Sequence, residues 1–125
     1  MNSEEFVSSI SKSIPIGIEF DNPGGGTSIV KSITHMNISY KRGNSIMSVG
    51  LNTLYDTYKQ FAGRQVTCSE LKEYAPNIFD SKARPAGHSC NCTFFFLVLI
   101  AIGVVEEIQG AGVRGNPYYV DIQSP

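Results

Sequence analysis

The spacing of apolar residues changes several times along the chain, and each change predicts an element. Phe6, Val7, Ile10 and Ile14 recur at helical spacing behind Ser3, whose hydroxyl can cap, so a short amphipathic helix is expected over Ser3 to Ser13. Ile14, Ile16, Ile18 and Phe20 then alternate with Pro15, Gly17 and Glu19. That period of two predicts a strand, with Pro15 placing it at an edge or a start. Asp21-Asn-Pro-Gly-Gly-Gly26 is a strong break, which sets residues 1–26 apart as an N-terminal appendage with a Gly-rich connector. Residues 27–50 are rich in Ser, Thr and β-branched side chains and predict a β-hairpin turning at Arg42 to Ser45, because Gly43 and Asn44 suit a tight turn. For Ile29 to Met36 a short helix competes with a strand.

From Leu51 the period becomes helical. Leu51, Leu54, Tyr55, Tyr58 and Phe61 share one face, and Gly63 stands where a C-terminal cap glycine belongs. Thr67-Cys-Ser-Glu70 matches the capping box and predicts a short helix through Leu71 and Tyr74 that ends before Pro76. Ile78 and Phe79 are expected to anchor a following basic loop, residues 80–87, which carries Lys82, Arg84, Pro85 and Gly87. A third helix should begin near Ser89 or Asn91 and run through Phe94 and Ile102 to Gly103. Val104 to Ile108 and Tyr118 to Ile122 are β-rich and should pair as a hairpin around a glycine-rich tip.

The chain has 125 residues, 42% of them hydrophobic, which predicts one α+β domain with a full core and excludes a largely disordered chain. The apolar run from Phe94 to Val105 is short of the roughly 20 residues a membrane-spanning helix needs. No leader-like apolar segment opens the sequence, so a cytoplasmic location is expected. Cys68, Cys90 and Cys92 make an odd set, best read as reduced thiols rather than a disulfide framework.

Helix, short capped helix, loop, helix and hairpin over residues 51–122 resemble the winged-helix superfamily in the order and lengths of the elements. The resemblance implies a three-helix core with a C-terminal β-hairpin wing. It makes Ser89 to Gly103 the recognition helix and residues 109–117 the wing tip. The implied activity is that of a small non-enzymatic binding module, a DNA-binding or accessory regulatory protein, with no cofactor and no metal. The expected nucleic-acid-binding residues are Lys82, Arg84, His88, Ser89, Asn91 and Arg114, the bases on phosphates and the helix start at base edges. The expected partner is double-stranded DNA.

Charge and hydropathy pull against that implication. Ten Lys plus Arg stand against eleven Asp plus Glu, and the pI of 6.1 lacks the basic footprint common in such domains. Phe94 to Ile102 is apolar on every side, which predicts a helix buried all round and covered by the N-terminal segment or by a second copy, and a homodimer through this helix or the N-terminal segment is expected. The alternative is a winged-helix protein-interaction or dimerisation module without DNA binding.

Three other patterns carry chemistry. Gly110-Ala-Gly-Val-Arg-Gly115 spells G-x-G-x-x-G, but it precedes a strand rather than a helix and fits a hairpin tip better than a dinucleotide site. His88, Cys90, Cys92 and Cys68 are zinc-type ligands at poor spacing, since Cys90 and Cys92 would point to opposite sides of a helix. Cys90 beside His88 is the one candidate for a thiol-dependent enzyme.

Overall fold

The computed structural model describes residues 1–84 and 87–124; Pro85 and Ala86, within the expected basic loop, lie outside the described residues. The fold is mixed α and β, and it divides into two compact units, Met1–Gln60 and a second beginning at Phe61. The division falls at the end of the first helix of the stretch that resembles a winged helix. No helix of the described residues is long and apolar enough to cross a membrane.

The first unit opens with α1 (Ser3–Ser13), which buries Phe6 and Ile10. Its cap is Asn2, not Ser3. The Asn2 side chain accepts from the Glu5 amide at 2.8 Å, and the Glu5 carboxylate accepts from the Asn2 amide at 3.0 Å. The expected strand from Ile14 shrinks to β1 (Glu19–Asp21). Pro15 has no N–H to give, Gly17 sits in a turn at φ +90°, and Ile16 stays 59% exposed.

Residues 1–26 are no appendage. β1 pairs antiparallel with β2 (Thr27–Ile33), so the glycines between them form a strand connection closed by an Asn22 N–H to Gly26 carbonyl bond of 3.0 Å. The strand reading therefore wins at Ile29, with a break in register between Val30 and Ser32 that leaves Lys31 bulged and exposed. β3 (Asn37–Arg42) and β4 (Ser45–Gly50) form the expected hairpin. Gly43 alone of the two turn residues has positive φ, +60°, as a type II′ turn requires. Val30, Ile38, Tyr40, Met47 and Val49 line the buried face, and α2 (Leu51–Phe61) follows directly. The Phe6 ring packs 5.6 Å from Tyr55 and 5.4 Å from Tyr58, centroid to centroid, joining α1 to α2.

The second unit holds β5 (Gln65–Thr67), α3 (Cys68–Tyr74), α4 (Pro76–Phe79), α5 (Cys90–Ala101) and β6 (Tyr119–Asp121). The capping box forms as expected, with Thr67 Oγ1 accepting from the Glu70 amide at 3.0 Å and the Glu70 carboxylate accepting from the Thr67 amide at 3.1 Å. Glu70 also pairs with Arg64, whose guanidinium lies over the Phe61 ring. Thr67→Ala should therefore cost about 1 kcal/mol, a shift of a few degrees in the thermal midpoint, while Ser69→Ala leaves it in place.

Two elements escaped the hydrophobic pattern. α4 is a single turn begun by Pro76 at its first position, and it delivers Phe79 fully buried into the core, as an anchor should. β5 is three residues long, too short to show a period.

The C-terminal hairpin is also less regular than expected. β6 pairs with β5 rather than with a strand over Val104 to Ile108. Backbone bonds join the return segment to the C-terminal residues at two points among the described residues. Gln109 exchanges backbone bonds with Tyr119, and the Gln123 N–H reaches the Val104 carbonyl at 2.9 Å. Those contacts differ in register by one residue, so the ladder breaks over Glu106 and Glu107, both exposed.

α5 stops ahead of Gly103, φ +85°, and every residue from Asn91 to Leu99 is buried within the single chain. The helix thus needs no second copy to cover those residues, and they offer no apolar surface for the homodimer contact expected through it.

Candidate functional site

β5 runs straight into α3, and its pairing with β6 returns the glycine-rich segment to the start of α3, where the Cys68 N–H donates to the Tyr118 carbonyl at 2.9 Å. The start of α5 lies beside them because Cys92 reaches both Phe79 and Cys68. These three parts enclose a cleft of about 340 Å³ lined by Cys68, Ser69 and Lys72 of α3, Ser89, and Gly112 to Arg114 with Pro117 and Tyr118. Two cations face it. No carboxylate is among its described lining residues.

The glycines fix the shape of one wall. Gly110, Gly112 and Gly115 all have positive φ. A Cβ on Gly110 would sit 2.1 Å from the Pro117 carbonyl oxygen, and one on Gly112 would sit 2.3 Å from the Tyr118 ring, whereas one on Gly115 meets nothing within 4 Å. The G-x-G-x-x-G spelling therefore reflects a chain folding back on itself, with a local Val113 to Asn116 bridge at the tip. Both Gly110→Ala and Gly115→Ala should lose about 1 kcal/mol to left-handed backbone strain. Gly110→Ala should melt several degrees lower than Gly115→Ala, because its clash is with backbone that cannot turn aside.

The expected binding residues separate into two groups. Lys82, Arg84, His88 and Arg114 are exposed, and Ser89 is half-buried. Arg84 and His88 share a shallow recess with Ser81 and Gly87. That recess is tied to the cleft through Ser89, because Ser81 Oγ accepts from the Ser89 N–H at 2.8 Å and the two hydroxyls lie 2.9 Å apart. Asp80 is the acid in this loop, and its carboxylate accepts from the Lys82 N–H at 3.0 Å. Asn91 is placed differently. It is 4% exposed, and its side-chain amide donates to the Ile78 carbonyl at 2.9 Å, so it holds α4 to α5 and does not face a ligand. Cys92 and Thr93 after it are buried as well.

Acidic groups gather elsewhere in the unit. Glu106, Glu107 and Asp121 line a separate recess with Gln109, whose amide donates to the Asp121 carboxylate at 2.9 Å. The unit carries five Lys plus Arg and six Asp plus Glu; Lys72 and Arg114 line the cleft, Glu106, Glu107 and Asp121 line the other recess, and Glu70, Glu73 and Asp80 stand on α3 and in the loop after α4. Among the described residues the ion pair found is Arg64 with Glu70, which leaves Lys72, Lys82, Arg84 and Arg114 without a carboxylate at ion-pairing distance.

Cys90 is half-buried and His88 exposed at the start of α5, and the fold sets a second cysteine pair beside them. The fold brings Cys68 and Cys92 together, with their side chains in hydrogen-bond contact. The bond from Cys92 holds the Cys68 thiol below its ordinary value and the charge of Lys72 adds to this, while partial burial opposes both. The same bond, together with burial, pushes the Cys92 thiol up. Lys72 stands four residues after Cys68 on α3. Cys92 joins them only through the packing of α3 on α5. No group of three or more His, Cys, Asp or Glu among the described residues could hold a metal ion.

No family model, no curated protein and no solved structure matches this chain.

Proposed function

We propose that the protein is a non-enzymatic binding module of winged-helix type whose second unit grips the phosphate backbone of double-stranded DNA. The observation that carries this reading is the cleft lined by Lys72 and Arg114, continuous through Ser89 and Ser81 with the recess of Arg84 and His88. Phosphate oxygens seek clustered cations and hydroxyl or amide donors, and a carboxylate-free lining carries no repulsion against them. Asn91, Cys92 and Thr93 in the first turn of α5 are buried, so base-edge readout from Asn91 has no place in the mechanism. Binding then rests on charge and shape, with weak preference among sequences and strong dependence on salt. A mixed-sequence duplex should bind at low salt and be released as salt rises.

One observation favours a second reading, a protein-interaction module. Val113, at the tip of the glycine-rich loop, is 58% exposed and apolar, a side chain suited to a protein partner rather than to a phosphate. Val113→Ser separates the two, since it leaves a phosphate grip intact and weakens an apolar contact.

A further inference from the structure

Cys68 of the cleft and the buried Cys92 behind it have chemistry of their own, which does not depend on the nucleic-acid reading. We propose that Cys68 is a site of oxidation by hydrogen peroxide and that Cys92 resolves it into a Cys68–Cys92 disulfide. Three features of the geometry support this. Cys68 is the cysteine that lines the cleft, with Lys72 and the Arg114 loop, and it is half-buried rather than closed off, so a small oxidant reaches it. Cys92 is 1% exposed and lies against the Phe79 carbonyl at 3.5 Å, so no oxidant reaches it first. The Cys92 sulfur also reaches the Cys68 carbonyl at 3.9 Å, so the two residues are neighbours where α3 packs on α5.

The steps balance. Cys68 gives up its proton, and its thiolate sulfur attacks one oxygen of the peroxide. The O–O bond breaks, Cys68 becomes the sulfenic acid, and the leaving hydroxide takes up a proton to become water. Cys92 then loses its proton and its sulfur attacks Cys68, forming the S–S bond as the S–O bond breaks. The second hydroxide leaves as water. In sum two thiols and one peroxide give one disulfide and two waters, with two electrons passing from sulfur to oxygen.

The order of events follows from the surroundings. While Cys68 is an anion, the hydrogen bond it receives holds the Cys92 proton in place. Oxidation of Cys68 removes that charge, so the resolving thiol is released only once there is something to resolve. Lys72 from α3, Cys90 and Cys92 from α5, and Arg114 and Tyr118 from the loop are the titratable or charged groups around the pair. Cys90 is the third thiol of the chain, and its role here is that of an internal control.

The experiment uses the full chain, reduced and then exposed to a small excess of hydrogen peroxide near neutral pH. The intact mass should fall by two hydrogens, and a non-reducing digest should join the Cys68 peptide to the Cys92 peptide. Cys90→Ser should behave like the wild type. In Cys92→Ala, labelling of Cys68 by a sulfenic-acid trap should rise about tenfold over the wild type, since the resolving thiol is gone. A disulfide that maps to Cys90, or a Cys68 that stays alkylatable after Cys90 has been oxidised, would overturn the proposal. If Cys92→Ala does not fold, as a circular dichroism melt will tell, the wild-type digest decides alone.

Discussion

Replacing Phe95 with alanine is expected to lower the unfolding free energy by about 3–5 kcal/mol, the usual loss for a large aromatic side chain removed from a core. Phe95 is fully buried on α5, its ring centroid 6.0 Å from that of Phe79 and 6.1 Å from that of Phe96. The change removes the apolar surface of the ring and leaves a hole between α4 and α5 that stiff neighbours fill only in part. For a domain stable by roughly 5–15 kcal/mol such a loss takes a large share of the total. Ile46→Ala is the matched control, since Ile46 is 65% exposed on an outer strand and should change stability by no more than about 0.5 kcal/mol. Urea unfolding followed by far-ultraviolet circular dichroism measures both. If Phe95→Ala lost no more than Ile46→Ala, α5 would not be the core helix described above.

The second large effect concerns binding. Arg84→Ala combined with Arg114→Ala should weaken affinity for a mixed duplex on the order of tenfold or more and lower the salt dependence by about two units of slope. Both side chains are exposed, so the thermal midpoint should not move, which distinguishes lost contacts from lost fold. Adding Lys72→Ala should take away a further unit of slope. Glu106→Gln with Glu107→Gln is the informative opposite, because those acids line the other recess and their neutralisation should leave binding unchanged or slightly tighter. If all these variants bound alike, Lys72, Arg84 and Arg114 would have no role in recognition.

How much of this was legible along the chain depends on how local the cause was. The Thr67 and Glu70 capping box lies within four residues and formed as written. The Gly43 turn, the helical face from Leu51 to Phe61 and the Gly103 stop are equally local, and each is in place. β5 and the pairing of β6 were not legible. A three-residue strand has no period to read, and which strand β6 chooses depends on where the chain returns in space. Asp21 to Gly26 read as a boundary because glycine runs serve both linkers and tight strand connections, and only the pairing of β1 with β2 decides between them.

The candidate site divides in the same way. Lys82, Arg84, His88 and Arg114 could be picked out as loop residues beside a helix start, and they are exposed. Asn91 looked equally exposed from the sequence. Its burial follows from the one-turn helix α4, whose Ile78 carbonyl takes the Asn91 amide. Lys72 escaped notice because a lysine on a short helix has no distinguishing pattern until the Arg114 loop closes over it. Cys68 and Cys92 read only as members of an odd set of reduced thiols. Their partnership needs α3 and α5 packed together, which no spacing of residues 68 and 92 could announce.

Composition likewise hid what placement reveals. A balance of ten bases against eleven acids argues against a strong long-range field around the molecule. It does not argue against a local grip, since Lys72, Arg84 and Arg114 face the cleft and its adjoining recess while Glu106, Glu107 and Asp121 face another.

The most direct test of that grip is the salt dependence of wild-type binding to a mixed-sequence duplex, followed by fluorescence anisotropy. With Lys72, Lys82, Arg84 and Arg114 on phosphates, log K against log salt should fall with a slope of about −3 to −4 between roughly 50 and 200 mM. A slope near zero, or no binding at the lowest salt, would contradict the account.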